Sequence, residues 1–251
     1  MRHVHRSALA SPSLRLFRRA RWVVLWQLGA ALIAVNAVGQ TPMSSPQGLL
    51  AGDPHVFVRW LKSERPLPVT GDERARVLQT LPSEGEVTNL SGVERRKLAA
   101  LGSLLRSVDR DSDYEIKVID VPLARVAIFE GLVLLITRPA LTILSGDELR
   151  AQVTHEIGHP YVSGDYDRAS AARDRRRLKE LELLCDAIAI ALLRNLRIDP
   201  APLMTGIEKV TRYNRKTFGA AVDESGYPTL AERREFAREV AAWIVAAPEP
   251  P

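Results

Sequence analysis

Residues 154–160 read T-H-E-I-G-H-P and carry two histidines four residues apart, His155 and His159. Side chains four apart on a helix project from one face about one turn apart, so the two imidazoles can bind a single metal ion. Glu156 lies beside them, where its carboxylate can reach a water molecule on that ion. This is the H-E-x-x-H arrangement of zinc peptidases, with two ligands and a general base in five residues. The stretch therefore predicts a helix that carries a metal centre.

Three patterns that mark the start of a helix come before the motif. A Ser or Thr followed three residues later by Glu is a capping box, and it occurs at Thr70, Ser91 and Ser145. The third box predicts a helix that begins near Gly146 and includes His159. Pro160 predicts that this helix stops or kinks at His159, because proline clashes with the preceding turn and disfavours helical geometry one residue earlier.

Short apolar and β-branched runs come directly before the motif helix. They predict two or three short strands of a small sheet, in the runs at residues 115–121, 126–129 and 132–136. We expect the last strand to pair with an extended substrate by β-augmentation, which supplies main-chain hydrogen bonds. After the motif, apolar residues at helical spacing predict helices at residues 178–196, 201–213 and 229–245.

The N-terminal segment, residues 1–39, is basic and then apolar. It contains six arginines and no acidic residue, and its apolar run covers residues 22–35. That run is shorter than the roughly 20 residues that a membrane-spanning helix needs, and the small residues Ala37 and Gly39 follow it. The segment predicts a secretory signal peptide, with an uncleaved N-terminal anchor as the alternative. Either interpretation predicts an exported protein, periplasmic or secreted, and the second keeps it close to a membrane.

The rest of the chain divides by composition. Residues 40–54 are rich in Pro, Ser, Gly and Gln and predict a flexible tether, residues 55–247 predict one metallopeptidase domain, and residues 248–251 form a tail. Cys185 is the single cysteine, so an internal disulfide is excluded and stability must come from a core. The sequence leaves the oligomeric state open.

The positive charge belongs to the N-terminal segment. The whole chain has 35 basic and 30 acidic residues, and removing residues 1–39 leaves 29 basic against 30 acidic. Net charge therefore gives no support to nucleic-acid binding. The same removal leaves His55, His155 and His159 as the remaining histidines, and two of these three belong to the motif.

A carboxylate is the natural candidate for a third metal ligand. Catalytic zinc usually has three protein ligands and one open position, and no further histidine lies near the motif. Glu182 and Asp186 are four residues apart in the predicted buried helix and share a face. One of them can bind zinc while the other accepts a hydrogen bond from a ligand histidine. Glu180 is a rival ligand on the same helix.

Two of these patterns together resemble a known family. H-E-I-G-H at residues 155–159, followed by E-L-L-C-D at residues 182–186, is similar to the H-E-x-x-H and E-x-x-x-D pair of the M48 peptidases, relatives of the CAAX prenyl protease. The resemblance runs from about Ser91 to Glu239. It includes residues 226–233, G-Y-P-T-L-A-E-R, which look like the family's late H-P-x-x-x-x-R-I element.

The resemblance implies a fold and a site. The fold is α+β, a mostly helical zincin-like domain with a small sheet next to the H-E-x-x-H helix. One Zn²⁺ per chain is held by His155, His159 and Glu182. Asp186 orients His155 or His159.

The expected activity is that of a zinc-dependent endopeptidase, which cleaves internal peptide bonds of protein or peptide substrates with Glu156 as the general base. The donor that stabilises the oxyanion is open between Tyr213, Arg212 and His55. Two other functions remain alternatives. One is a zinc-binding but proteolytically silent scaffold or chaperone-like protein, which would not need Glu156. The other is a zinc hydrolase that acts on a non-peptide amide.

Overall fold

The computed structural model describes residues 45–63, 66, 69–81, 85–108, 114–219 and 227–245. These residues belong to one compact unit. The predicted signal peptide at residues 1–39 and the predicted tail at residues 248–251 lie outside the described ranges.

Helices dominate the described residues, with one small sheet among them. In chain order the elements are α1 (Pro46–Leu50), α2 (Pro54–Ser63), α3 (Gly71–Thr80), α4 (Gly92–Ser107), β1 (Glu115–Ile119), β2 (Val126–Phe129), β3 (Val133–Thr137), α5 (Arg138–Ile143), α6 (Gly146–Ala171), α7 (Arg175–Asn195), α8 (Pro202–Phe218) and α9 (Leu230–Val245). The predicted α+β class, mostly helical with a small sheet, is confirmed at this level.

The three predicted capping boxes all form. Thr70, Ser91 and Ser145 each accept a hydrogen bond from the main-chain N–H of the glutamate three residues later, and that glutamate bonds back to the cap. Each box satisfies two N–H groups that the first turn of a helix leaves unpaired. Helices α3, α4 and α6 therefore begin where the sequence predicts.

The sheet has the strand order β1-β3-β2, with β1 parallel and β2 antiparallel to β3. All five residues of β3 are buried, and β3 has a partner strand on each side. The prediction that this strand pairs with a substrate is therefore wrong, because its main-chain groups already bond to β1 and β2. Within the described residues, β2 is the edge strand that lies beside α6.

Helix α6 continues through Pro160 to Ala171, so the predicted stop or kink at His159 is wrong as a helix end. Proline in a helix interior costs about 3 kcal/mol. The residues that follow it offset this cost, because Tyr161, Val162 and Ala169 are buried against the rest of the core. Tertiary packing thus overrides the local preference of the sequence.

Helices α6 and α7 pack closely at Gly158. A Cβ atom added there would lie 3.1 Å from the Cα atom of Cys185 and 3.2 Å from its carbonyl oxygen. Such separations are too short for ordinary contact, so glycine permits the approach of the two helices. Cys185 itself is fully buried. The close approach places the motif face of α6 against the face of α7 that carries Glu182 and Asp186.

The N-terminal helices pack on the same core. Helix α1 lies within the predicted tether, and its Leu49 is buried, so this part of residues 40–54 is ordered helix rather than flexible tether. Apolar burial of Leu49 explains the difference. On α2, Trp60 lies against Tyr161 of α6, and the Tyr161 hydroxyl donates to the carbonyl of Leu61. In the described part of the chain, each helix is too short or too polar to span a bilayer.

Candidate metal centre

Helix α6 brings His155, Glu156 and His159 together inside the protein. His155 is 5% exposed and Glu156 is 9% exposed, while His159 is partly buried. The two imidazole rings lie edge to face, with their centroids 5.2 Å apart. One ligand atom from each of the three side chains lies within 4.8 Å of the others. This buried group can hold a metal ion.

Helix α7 adds a carboxylate to this group. Glu182 Oε2 lies 3.4 Å from His155 Nε2, and Glu182 Oε1 lies 3.8 Å from His159 Nε2. The side chain is 2% exposed. Glu182 therefore faces the ring nitrogens of both histidines, which is where the resemblance places a third ligand.

Asp186 lies on the other side of the His155 ring. Its Oδ1 is 2.8 Å from His155 Nδ1, although the ring N–H does not point straight at this oxygen. The contact is thus closer to an ion pair than to a linear hydrogen bond. The resemblance left open whether Asp186 orients His155 or His159. In the structure, Asp186 lies beside His155.

The rival residues take other partners. Glu180 pairs with Arg177, at 3.1 Å, and with Arg176, at 3.6 Å. Among the oxyanion candidates, Arg212 pairs with Glu208 on its own helix. None of the contacts described for Arg212, Tyr213 or His55 reaches the two motif histidines.

Arg233 of α9 joins the centre, and sequence reasoning gave it no role. Its Nη2 donates to Glu182 Oε2 at 2.7 Å, and its Nε lies 3.4 Å from Asp186 Oδ2. The residue is 7% exposed. The buried guanidinium therefore lies against two buried carboxylates, which would be costly to bury without cations beside them. Its place in the late element at residues 226–233 was the sequence signal for this role.

Tyr166 is a second residue that sequence reasoning missed. Its hydroxyl donates to Glu182 Oε1 at 3.4 Å, and its ring lies edge to face with His159, with the centroids 5.4 Å apart. Tyr166 follows His159 by seven residues, which is two turns along the same helical face. This spacing places Tyr166 on the motif face only if the helix continues past Pro160. The sequence predicted a helix end there, so the spacing gave Tyr166 no role.

The main chain of β2 holds the candidate base. The N–H of Ile128 donates to Glu156 Oε2 at 3.1 Å. This N–H belongs to the edge strand of the sheet, so the sheet and the motif helix meet at Glu156. A main-chain donor has no counterpart in a sequence motif, and no pattern in the sequence predicts it.

Burial and charge act in opposite directions at the centre. Burial lowers the pKa of His155, but the Asp186 and Glu182 carboxylates outweigh it and raise this pKa to about 10. Burial raises the pKa of Glu182, but His155, His159 and Arg233 outweigh it and hold this pKa well below its usual range. Glu182 is therefore ionised at neutral pH, as a metal ligand must be, while a metal ion has to displace a proton from His155.

The chain matches no protein-family model and no curated protein. The side chains that form the site are therefore the guide to its chemistry. Two imidazole nitrogens and carboxylate oxygens suit a divalent transition-metal ion, and the buried partners of these ligands fix their orientation. If either Glu156 or Glu182 bound such an ion, the other carboxylate would lie beside it.

Proposed function

We propose that the protein is an exported zinc-dependent endopeptidase with a zincin-like fold. His155, His159 and Glu182 are the zinc ligands, and Glu156 is the general base. The observation that carries the proposal is the meeting of Glu182 with both motif histidines, at 3.4 and 3.8 Å. Glu156 lies beside them on the helix of the histidines. The resemblance to the M48 family supports the same assignment of these four residues.

A zinc ion held by His155, His159 and Glu182 would supply a Lewis acid and would lower the pKa of a water molecule to about 7. As the general base, the Glu156 carboxylate would take up the proton of the attacking water and pass it to the leaving amine. The Ile128 N–H, at 3.1 Å from Oε2, keeps the Glu156 carboxylate in one orientation. Asp186 orients the His155 ring, and Arg233 holds Glu182.

Strand β2 favours a peptide substrate over a small amide. Ala127 and Phe129 pair with β3 at Leu135 and Val133, and the Ile128 N–H points away from β3 toward Glu156. Alternate residues of an antiparallel edge strand direct their main-chain groups out of the sheet. Glu156 already accepts the Ile128 N–H, so an extended peptide would add by β-augmentation to the other outward-facing main-chain groups of this edge, beside the general base.

The proposal is tested by metal content and proteolysis of the parent protein and a Glu156→Gln variant. We expect one zinc per chain in both and cleavage of casein by the parent alone. Glu180→Gln is the matched control on α7, because Glu180 pairs with arginines instead of the histidines, and it should keep zinc and activity. Zinc in both proteins with cleavage in neither would favour the silent scaffold. A parent that binds no zinc would overturn the proposal.

Export is tested separately. Residues 1–39 act as the signal peptide or as an N-terminal anchor, and the substrates are proteins or peptides outside the cytoplasm. Cell fractionation with N-terminal sequencing of the recovered protein distinguishes cleavage near Ala37 or Gly39 from an intact anchor. Recovery of the uncleaved chain from the cytoplasm alone would contradict export.

A further inference from the structure

The Glu182 carboxylate is held at both oxygens, by residues from two different helices. Arg233 of α9 donates to Oε2 at 2.7 Å. The Tyr166 hydroxyl of α6 donates to Oε1 at 3.4 Å. A carboxylate fixed at one oxygen can still turn about its own axis, whereas donors at both oxygens define its plane.

Tyr166 also contacts the second histidine. Its ring lies edge to face with His159, at an interplanar angle of 80° and a centroid distance of 5.4 Å. Edge-to-face pairs are favoured over stacked ones because the positive edge of one ring meets the negative face of the other. One side chain thus touches two of the three proposed ligands.

The position depends on the unbroken course of α6. Only if the helix continues past Pro160 does residue 166 return to the face that carries His155 and His159.

We infer that Tyr166 is a positioning residue of the metal centre, which sets the Glu182 carboxylate through its hydroxyl and the His159 imidazole through its ring. The inference rests on the proposed zinc site and adds a residue outside both sequence motifs. The hydrogen bond is longer than the usual O–H···O distance, so its loss should cost the fold little. Its effect should appear in metal affinity, because partners of metal ligands commonly contribute ten- to a hundredfold, to order of magnitude.

The test compares Tyr166→Phe with Tyr161→Phe in the full chain. Tyr161 lies on the same helix and donates a hydrogen bond of similar length, 3.3 Å, to the carbonyl of Leu61 instead of a metal ligand. Zinc affinity is measured by competition with a chromophoric chelator. The visible absorption spectrum of the Co²⁺ form reports the geometry of the ligands. Thermal unfolding of metal-depleted samples shows that each variant folds.

We expect Tyr166→Phe to bind zinc about tenfold more weakly than the parent and to shift the Co²⁺ spectrum, with Tyr161→Phe unchanged in both. Tyr166→Leu removes the ring as well and should bind more weakly still. Equal affinities for the parent and Tyr166→Phe would overturn the role of the hydroxyl while leaving the proposed function intact. Equal affinities for Tyr166→Phe and Tyr166→Leu would overturn the role of the ring. A parent without metal affinity would overturn both proposals.

Discussion

At the scale of single residues, the buried charges around Glu182 determine how strongly a substitution at the centre lowers the stability of the metal-free protein. Arg233 is the cation that pairs with Glu182 and lies 3.4 Å from Asp186, and its side chain is 8% exposed. Removing one partner of a buried ion pair leaves an uncompensated charge in a medium that solvates it poorly. The stability of the metal-free protein therefore depends on a residue that is not a proposed ligand.

We predict that Arg233→Met lowers the free energy of unfolding of the metal-free protein by about 3 kcal/mol. The measurement is urea unfolding at neutral pH. Arg234→Met is the control, since Arg234 is the next residue, is 51% exposed and pairs with Glu208 at the surface. Such surface pairs contribute about 1 kcal/mol or less. Equal losses in the two variants would contradict a special role for Arg233.

The His155 proton gives a pH dependence. Its pKa is raised from 6.5 to about 10 in the folded protein, so the protonated ring contributes stability that is fully present below pH 6.5 and is lost as the pH rises through about 10. A metal ion binds the neutral ring and must displace this proton. We therefore predict that zinc affinity rises about tenfold per pH unit between pH 6.5 and 8. Titrations with a pH-independent competitor measure the slope, and an affinity that stays flat would contradict the prediction.

The residues of the site differ in how far the sequence reveals them. His155, Glu156, His159, Glu182 and Asp186 lie in two short patterns with helical spacing, so local periodicity places each set on one face. Arg233 meets Glu182 across 51 residues of chain, and local spacing carries no information about such a pair. Tyr166 was hidden by one wrong expectation about Pro160.

At the scale of helices and strands, capping was predictable and two other features were not. Each of these capping boxes is complete within four residues, so a local sequence pattern predicts it. Whether a helix passes a proline depends on what the next residues bury. Which strand lies at the edge depends on the strand order β1-β3-β2, in which the last strand takes the centre. Both features are decided by partners far away in the chain.

Pro160 provides the prediction at this scale. The proline removes one N–H from the helical ladder inside α6, at a cost of about 3 kcal/mol relative to alanine. We predict that Pro160→Ala raises the free energy of unfolding by about 1 to 3 kcal/mol. Pro202→Ala is the control, since Pro202 lies at the start of α8, where proline removes no helical hydrogen bond. Denaturant unfolding measures both, and a Pro160→Ala variant no more stable than the parent would show that α6 absorbs the proline without strain.

At the scale of the whole molecule, the centre joins two helices that follow each other in the chain, α6 and α7, to the more distant helix α9. Helix α6 supplies the motif, α7 supplies Glu182 and Asp186, and α9 supplies Arg233. Helix α9 also reaches the N-terminal part of the described chain, where the Trp243 indole N–H donates to the carbonyl of Gly52 at 3.1 Å. A metal ion bound at the centre would therefore stabilise the packing of these helices, because it would bind the folded arrangement and not the unfolded chain.

Metal removal should consequently lower the melting temperature, and the size of the effect identifies the ligands. At a free zinc concentration 100 times the dissociation constant, binding adds about 2.7 kcal/mol to stability. The geometry offers two carboxylates beside His155 and His159, since Glu156 lies within 4.8 Å of them and Glu182 faces both. With Glu182 as ligand, Glu156→Gln keeps the shift that zinc produces and Glu182→Gln loses it. Calorimetry with and without chelator decides between them. The reverse pattern would make Glu156 the ligand and would remove it as the general base.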